Sequence, residues 1–191
     1  SILPAFPQMT AFCRLANKND IQQVVFIYFV GYASTQLLFG LLGDWLGRRA
    51  TLALGLLLYI GASAALIVVV DFRHLLLARF LQGAGLAAPR VIVNAVVRDV
   101  ATGNRMAQIM SYITMVFMAV PVLAPTFGQF ILKLGDFKTI FYFYLLTGLL
   151  VLGWFLRVLP ETLAPEKRRP LQLSKVKEAL RIFGHNPSAL L

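Results

Sequence analysis

Charged side chains are scarce within the long apolar runs of this chain, so the few that interrupt them are the first candidates for chemistry. Asp44, Arg48 and Arg49 sit in the stretch Gly40-Leu41-Leu42-Gly43-Asp44-Trp45-Leu46-Gly47-Arg48-Arg49, where an acid and two guanidinium groups are set among glycines. Opposite charges this close can pair and so hold one arrangement of the flanking segments, which makes the stretch a charged hinge. Arg79 and Arg90 fall inside an apolar run instead. A charge at bilayer depth costs at least ~2.5 kcal/mol on insertion scales and persists mainly where it faces a bundle interior or water. Snorkelling is the alternative at both, from Arg79 toward the outer surface and from Arg90 toward the cytoplasmic end. Near Arg79, Gln82 adds a second donor, while Gly83, Gly85, Ala87 and Ala88 form a smooth helix face on which another helix can approach closely.

Bond-making chemistry finds no support. Cys13 is the lone cysteine, so neither a disulfide nor a cysteine metal site can form within the chain, and His74 and His185 have no ligand-spaced partners. No phosphate-binding loop of the G-x-x-x-x-G-K-[ST] type occurs. The residues therefore imply no enzyme, no cofactor and no metal, and any work done must draw on an ion gradient or on a substrate's own gradient.

The elements that carry these residues are set by composition. Hydrophobic residues make up 59% of the chain and charged ones 14%, with a mean hydropathy of +0.75, against about 45 to 50% apolar in an ordinary soluble domain. A span needs about 20 mostly apolar residues, and five segments qualify: 21–42, 51–70, 74–97, 109–134 and 140–159. A transmembrane barrel would show alternation in segments of roughly 10 residues, which is absent, so the spans are helices and the partner is a lipid bilayer. The opening Ile2-Leu3-Pro4-Ala5-Phe6-Pro7 reads as the last turn of a further span, so the chain is expected to be a fragment. After Leu159, Pro160, Pro165, Pro170 and a run of charge mark a linker. There Leu173, Val176, Leu180 and Phe183 follow helical spacing opposite Lys175, Lys177, Glu178 and Arg181, as in an amphipathic helix at the membrane surface or in a solvated linker helix.

A net charge of +10 raises the question of nucleic acid, but the charges alternate from one side of the spans to the other. Arg48, Arg49, Arg98, Arg105, Arg157 and the basic residues of the linker lie on one side; Arg14, Lys18, Arg73, Lys133 and Lys138 lie on the other. The positive-inside rule then puts the hinge and the C-terminal segment in the cytoplasm, and no nucleic acid is implied.

The hinge, written G-x-x-x-D-x-x-G-R-[KR], resembles the signature between the second and third helices of the major facilitator superfamily of transporters. The run Arg79-Phe80-Leu81-Gln82-Gly83-Ala84-Gly85-Leu86-Ala87-Ala88 resembles the fourth-helix signature R-x-x-Q-G-x-G-x-x-A of the same superfamily. In the span 109–134, Pro121, Pro125 and Gly128 recur at i, i+4 and i+7, and a proline removes a backbone hydrogen bond and kinks its helix. The residues from Ala119 to Gln129 resemble the fifth-helix antiporter motif G-x-x-x-G-P-x-x-G-G, departing from it at Val120, Ala124 and Gln129. Arg98-Asp99, Phe137-Lys138-Thr139-Ile140-Phe141 and Leu159-Pro160-Glu161-Thr162-Leu163 resemble segments of bicyclomycin-resistance-type drug:proton antiporters.

The resemblance implies an all-α membrane protein, the N-terminal six-helix half of a twelve-helix bundle, with five complete transmembrane helices and the end of the first. Residues 1–163 would form the helical bundle and 164–191 the cytoplasmic central linker. Its implied function is secondary active export of drug-like or small amphipathic molecules across the inner (plasma) membrane in exchange for protons, hence multidrug efflux and drug resistance. The C-terminal half of the same transporter is the implied partner. The hinge would gate, Arg79, Gln82, Gly83 and Gly85 would serve proton coupling, and Pro121, Pro125 and Gly128 would form the antiporter kink. A polyspecific pocket wants aromatic and soft apolar surface with few polar anchors, for which Tyr28, Tyr32, Gln36, Arg90, Asn94, Met115 and Met118 are the candidates. A facilitator or importer on the same fold, or a non-transporting membrane scaffold, remain the alternatives. Internally, Gly43-Asp44-Trp45 and Gly135-Asp136-Phe137 close the first and fourth complete spans on opposite sides, which suits an inverted three-plus-three repeat.

Overall fold

The structure, a computed structural model, describes residues 2–12, 20–163 and 166, with the backbone alone at 11 and 12. The expected linker helix therefore lies outside the described residues. A 3-10 turn at Leu3–Ala5 leads into a short helix α1, Phe6–Phe12. Five long helices follow: α2, Gln23–Trp45; α3, Arg48–Val68; α4, Phe72–Val100; α5, Gly103–Leu132; and α6, Lys138–Val158. All five are long and apolar enough to cross a membrane, and no strand occurs among the described residues. Short connections reverse the chain between them, so the α2–α3 and α4–α5 turns and the end of α6 share one end of the bundle, called here the hinge end.

Helix α4 is the axis of the bundle, packing most extensively against α2 and α3, while α6 lies on α3. Lipid tails are as apolar as leucine side chains, so close van der Waals contact rather than water exclusion must hold these helices together. The small residues supply it. A Cβ at Gly31 or Gly83 would run into the backbone carbonyl of Phe80 or Tyr28 respectively, so α2 and α4 touch backbone to backbone. A Cβ at Gly85 would lie 2.5 Å from the Tyr59 nitrogen and 2.7 Å from the Gly55 oxygen, so α3 and α4 do the same on the next face. Large side chains then close the two ends. At the far end Met9, Val24, Leu66, Leu75, Ile131, Ile140 and Phe141 draw all six helices into one cluster, and toward the hinge end Leu52, Leu56, Ile92 and Phe155 join α3, α4 and α6.

Two sequence expectations change. The hinge is almost entirely helical: α2 continues through Trp45 and α3 starts at Arg48, leaving Leu46 and Gly47 as the turn. Gly47 has φ 99°, a left-handed conformation that other residues adopt only with strain. The fourth span starts at Phe72 and runs to Val100, and the fifth starts at Gly103, beyond the apolar runs at both places, because helical hydrogen bonding tolerates the polar ends that hydropathy discards. Pro121 and Pro125 lie within α5, and a further proline, Pro89, lies within α4. Gly128 is buried and Pro125 half-buried, while Pro121 is exposed.

Candidate functional site

At the hinge end, one arginine gathers three segments of chain. Arg48, only 8% exposed, donates from its NH1 to Asp44 Oδ1 at 2.7 Å and from its Nε to Asp99 Oδ2 at 3.0 Å, tying the start of α3 to the ends of α2 and α4. Gly43 makes room for it, since a Cβ there would sit 3.1 Å from the Arg48 guanidinium and 2.6 Å from Ile92. Glu161, just beyond α6, accepts from the backbone N–H of Arg48 at 2.9 Å and of Arg49 at 3.2 Å. These are the first two residues of α3, so the carboxylate satisfies orphan donors and meets the positive end of the helix dipole. Arg49 completes the tie by donating to the Leu156 carbonyl on α6 at 2.7 Å. Thr162 reaches Asp99 at 3.5 Å. Asp44 keeps about half of its side chain in the open, at 48% exposure, whereas the Asp99 side chain is 22% exposed.

A second cluster lies toward the far end. Arg79 is 3% exposed and Gln82 1%. Arg79 NH1 donates to Gln82 Oε1 at 2.9 Å, Gln82 Nε2 donates to Ser63 Oγ at 2.8 Å, and Ser63 donates to the Tyr59 carbonyl at 2.7 Å. The guanidinium carbon stands 5.1 Å from the ring centre of Phe141 and 5.8 Å from that of Tyr144, both on α6, while its Nε and NH2 make no hydrogen bond. No carboxylate pairs with it among the described residues. Because Gln82 is one turn further from the start of α4, Arg79 reaches into the bundle and does not snorkel outward. Gly83 and Gly85 serve the helix crossings described above, so of the four residues expected to act together only Arg79 and Gln82 share a hydrogen bond.

The expected pocket residues do not form one enclosed cavity. Tyr28, Tyr32 and Gln36 are half-buried on α2, against α4. Met115 and Met118 are exposed on α5, where with Met110, Ser111 and Thr114 they line an open groove of about 480 Å³. Arg90 is half-buried on α4 with its guanidinium carbon 4.0 Å from the ring centre of Phe117 on α5. It lies ten residues, about 15 Å, from the hinge end of α4, and Phe117 holds its head group at depth, so it does not snorkel. Asn94, one turn nearer the hinge end, is half-buried and offers its backbone carbonyl to Arg98 Nε at 3.3 Å. Among the described residues no group of His, Cys, Asp or Glu could hold a metal ion.

Sequence reading missed the partners more than the principals. Asp99 and Glu161 stand out in sequence only as parts of separate motifs, with nothing in their spacing to link them to Arg48. Ser63 is a lone hydroxyl in an apolar run, and Phe141 and Tyr144 look like ordinary membrane aromatics.

Comparison with known proteins matches residues 1–191 to the family described as the Major Facilitator Superfamily. A bicyclomycin resistance protein homolog of Haemophilus influenzae is 35% identical over 187 residues, which cover 91% of this chain and 46% of the relative. Multidrug resistance protein MdtL of Shewanella oneidensis is 35% identical over 147 residues, 77% of this chain and 37% of the relative. Among solved structures, the human organic anion transporter MFSD10 (TETRAN) superposes with a TM-score of 0.64 at 25% identity, covering 88% of this chain and 40% of that one. The chain thus spans less than half the length of each of these three.

Proposed function

The chain belongs to the Major Facilitator Superfamily, and from that premise we propose that it forms the N-terminal half of a secondary transporter that exports drug-like molecules across the inner membrane in exchange for protons. The resistance names of the relatives support the drug class. The single observation that carries the mechanism is the Arg48 lattice, which locks the hinge ends of α2, α3, α4 and the segment after α6 into one block. Such a block can rock as a unit against a second half, which is how alternating access proceeds in inverted-repeat transporters. Within it Asp44 has acceptor capacity to spare and half its side chain exposed, so it is the member that can pair with the second half when the hinge end closes. The positive-inside rule supports a cytoplasmic position for that end and for residues 164–191.

Arg79 is the group through which protons would be coupled. A buried cation without a carboxylate lowers the proton affinity of any acid that approaches it, and so biases that acid toward release. The departures at Val120, Ala124 and Gln129 favour one second reading, a facilitator on the same fold that moves its substrate without a counter-ion.

Both readings are tested on the complete protein in proteoliposomes. Drug efflux should acidify the lumen in exchange, Asp44→Asn should cut transport at least several-fold with insertion intact, and Arg79→Ala should flatten the dependence of rate on pH. Drug movement without proton movement would favour the facilitator, and normal efflux by Asp44→Asn would remove Asp44 from the gate.

A further inference from the structure

The spans of this half contain cations and no anions. The sequence has no Asp or Glu in residues 21–43, 45–70, 72–98, 100–135 or 137–160, so every acid of the described bundle stands at a helix end or in a connection. At membrane depth only Arg79 and Arg90 are charged, and the two differ in access. Arg79 is sealed, at 3% exposure. Arg90 is half-buried, makes no hydrogen bond or ion pair among the described residues, and has its guanidinium carbon 4.0 Å from the ring centre of Phe117. A cation–π contact supplies no oxygen acceptor, so the guanidinium N–H groups keep their capacity to bind one.

The ring it faces, Phe117, shares a helix face with the open groove on α5. Phe117 falls seven residues after Met110 and three after Thr114, so helical periodicity puts it on the same stripe as these two lining residues. The stripe thus carries Phe117, with Arg90 against it, next to a groove built from methionine sulfur, methyl and hydroxyl groups. A methionine-rich surface adapts to varied apolar shapes, and a guanidinium edge matches a carboxylate or sulfonate with two parallel hydrogen bonds.

We propose that Arg90 is the anion anchor of the substrate site, and that the substrate is an amphipathic organic anion whose apolar body lies along Met110, Thr114 and Met118. The proposal rests on the transport role assigned to the complete protein. Its charge argument works in both directions. An anion at Arg90 compensates a charge that the fold otherwise leaves unpaired in a low-dielectric region, whereas a cationic drug in the same groove would add a further positive charge beside it. Within this half the distribution of acids, all of which are kept out of the spans, favours anions over cations.

The test uses the complete protein in neutral-lipid liposomes with three anionic probes, fluorescein, dansylglycine and anilinonaphthalene sulfonate, and two cationic ones, rhodamine 6G and ethidium. At least one anion should be moved and the cations should stay at background. Arg90→Gln should weaken the anion's apparent affinity about ten-fold or more, the scale of a lost charge-assisted hydrogen bond, and Arg90→Lys should restore part of it. Cations moved as fast as the anions, or Arg90→Gln leaving anion affinity unchanged, would overturn the anchor while leaving the transport role standing. If no probe moves, polarisation binding to the detergent-solubilised protein decides. Anion binding lost in Arg90→Gln supports the anchor and removes the transport role, and absence of any anion binding overturns the anchor.

Discussion

At Arg48 one guanidinium serves carboxylates from two other helices, and their different exposure separates stability from function. Asp99, at 22% side-chain exposure, is the more enclosed partner, so Asp99→Asn should cost about 1–2 kcal/mol, discounted for its partial solvation. Asp44, at 48%, is half in solvent, and its pair should be worth less than ~1 kcal/mol. Thermal midpoints of the complete protein in detergent should therefore order wild type, Asp44→Asn and Asp99→Asn from most to least stable. If Asp44 gates by pairing with the second half, Asp44→Asn should nonetheless lose transport. Equal destabilisation by the two substitutions would mean that the lattice is a structural clamp with no free member. Glu161→Ala removes the acceptor for two N–H groups at the start of α3 and should cost about 1–2 kcal/mol in the same assay.

Among the elements, α4 carries the greatest demand, because glycines on its two faces bring both neighbouring backbones into contact. Gly85→Ala places a methyl where the Tyr59 nitrogen stands 2.5 Å away, and backbone cannot give way as a side chain end can. A cost of about 1–3 kcal/mol is expected, with Gly83→Ala similar against the Tyr28 carbonyl. Gly61 on α3 is the internal control, since a Cβ there meets nothing within 4 Å, so Gly61→Ala should be neutral or slightly stabilising. Chemical denaturation of the three variants checks the pattern, and a Gly85→Ala protein as stable as Gly61→Ala would show that the crossing is looser than described. Helix α5 stands at the opposite extreme. Only Gly128 and Ile131 are buried along its length, so most of its apolar surface is left for lipid or for other parts of the transporter.

For the whole molecule, charge and connectivity set orientation together. Five successive spans alternate, so the turns at Leu46–Gly47 and Ala101–Thr102 must share a side with Leu163, and Asp71 and Gly135 must share the other. Alkaline phosphatase fused after Asp71 or Gly135 should be active outside the cytoplasm, and fused after Thr102 or Leu163 it should be inactive. The reverse pattern would mean that the excess of basic residues at the hinge end does not set the orientation. The proposed transport role belongs to this scale, since the chain spans less than half the length of these relatives.

Hydropathy and local motifs were enough to read five helices able to cross a membrane, the residues charged within them, and the family whose signatures they spell. These depend on hydropathy and on residues close together in the chain, and a 20-residue apolar run has one stable form in lipid. Partnership was decided only by the tertiary structure. Nothing in the spacing of Asp99, 51 residues from Arg48, or of Glu161, 113 residues away, announces that all three meet at one turn. Nor does the sequence tell sealed Arg79 from half-open Arg90, since both are arginines in one apolar helix. That difference comes from what α6 and α5 set against them, Phe141 and Tyr144 beside the first and Phe117 beside the second.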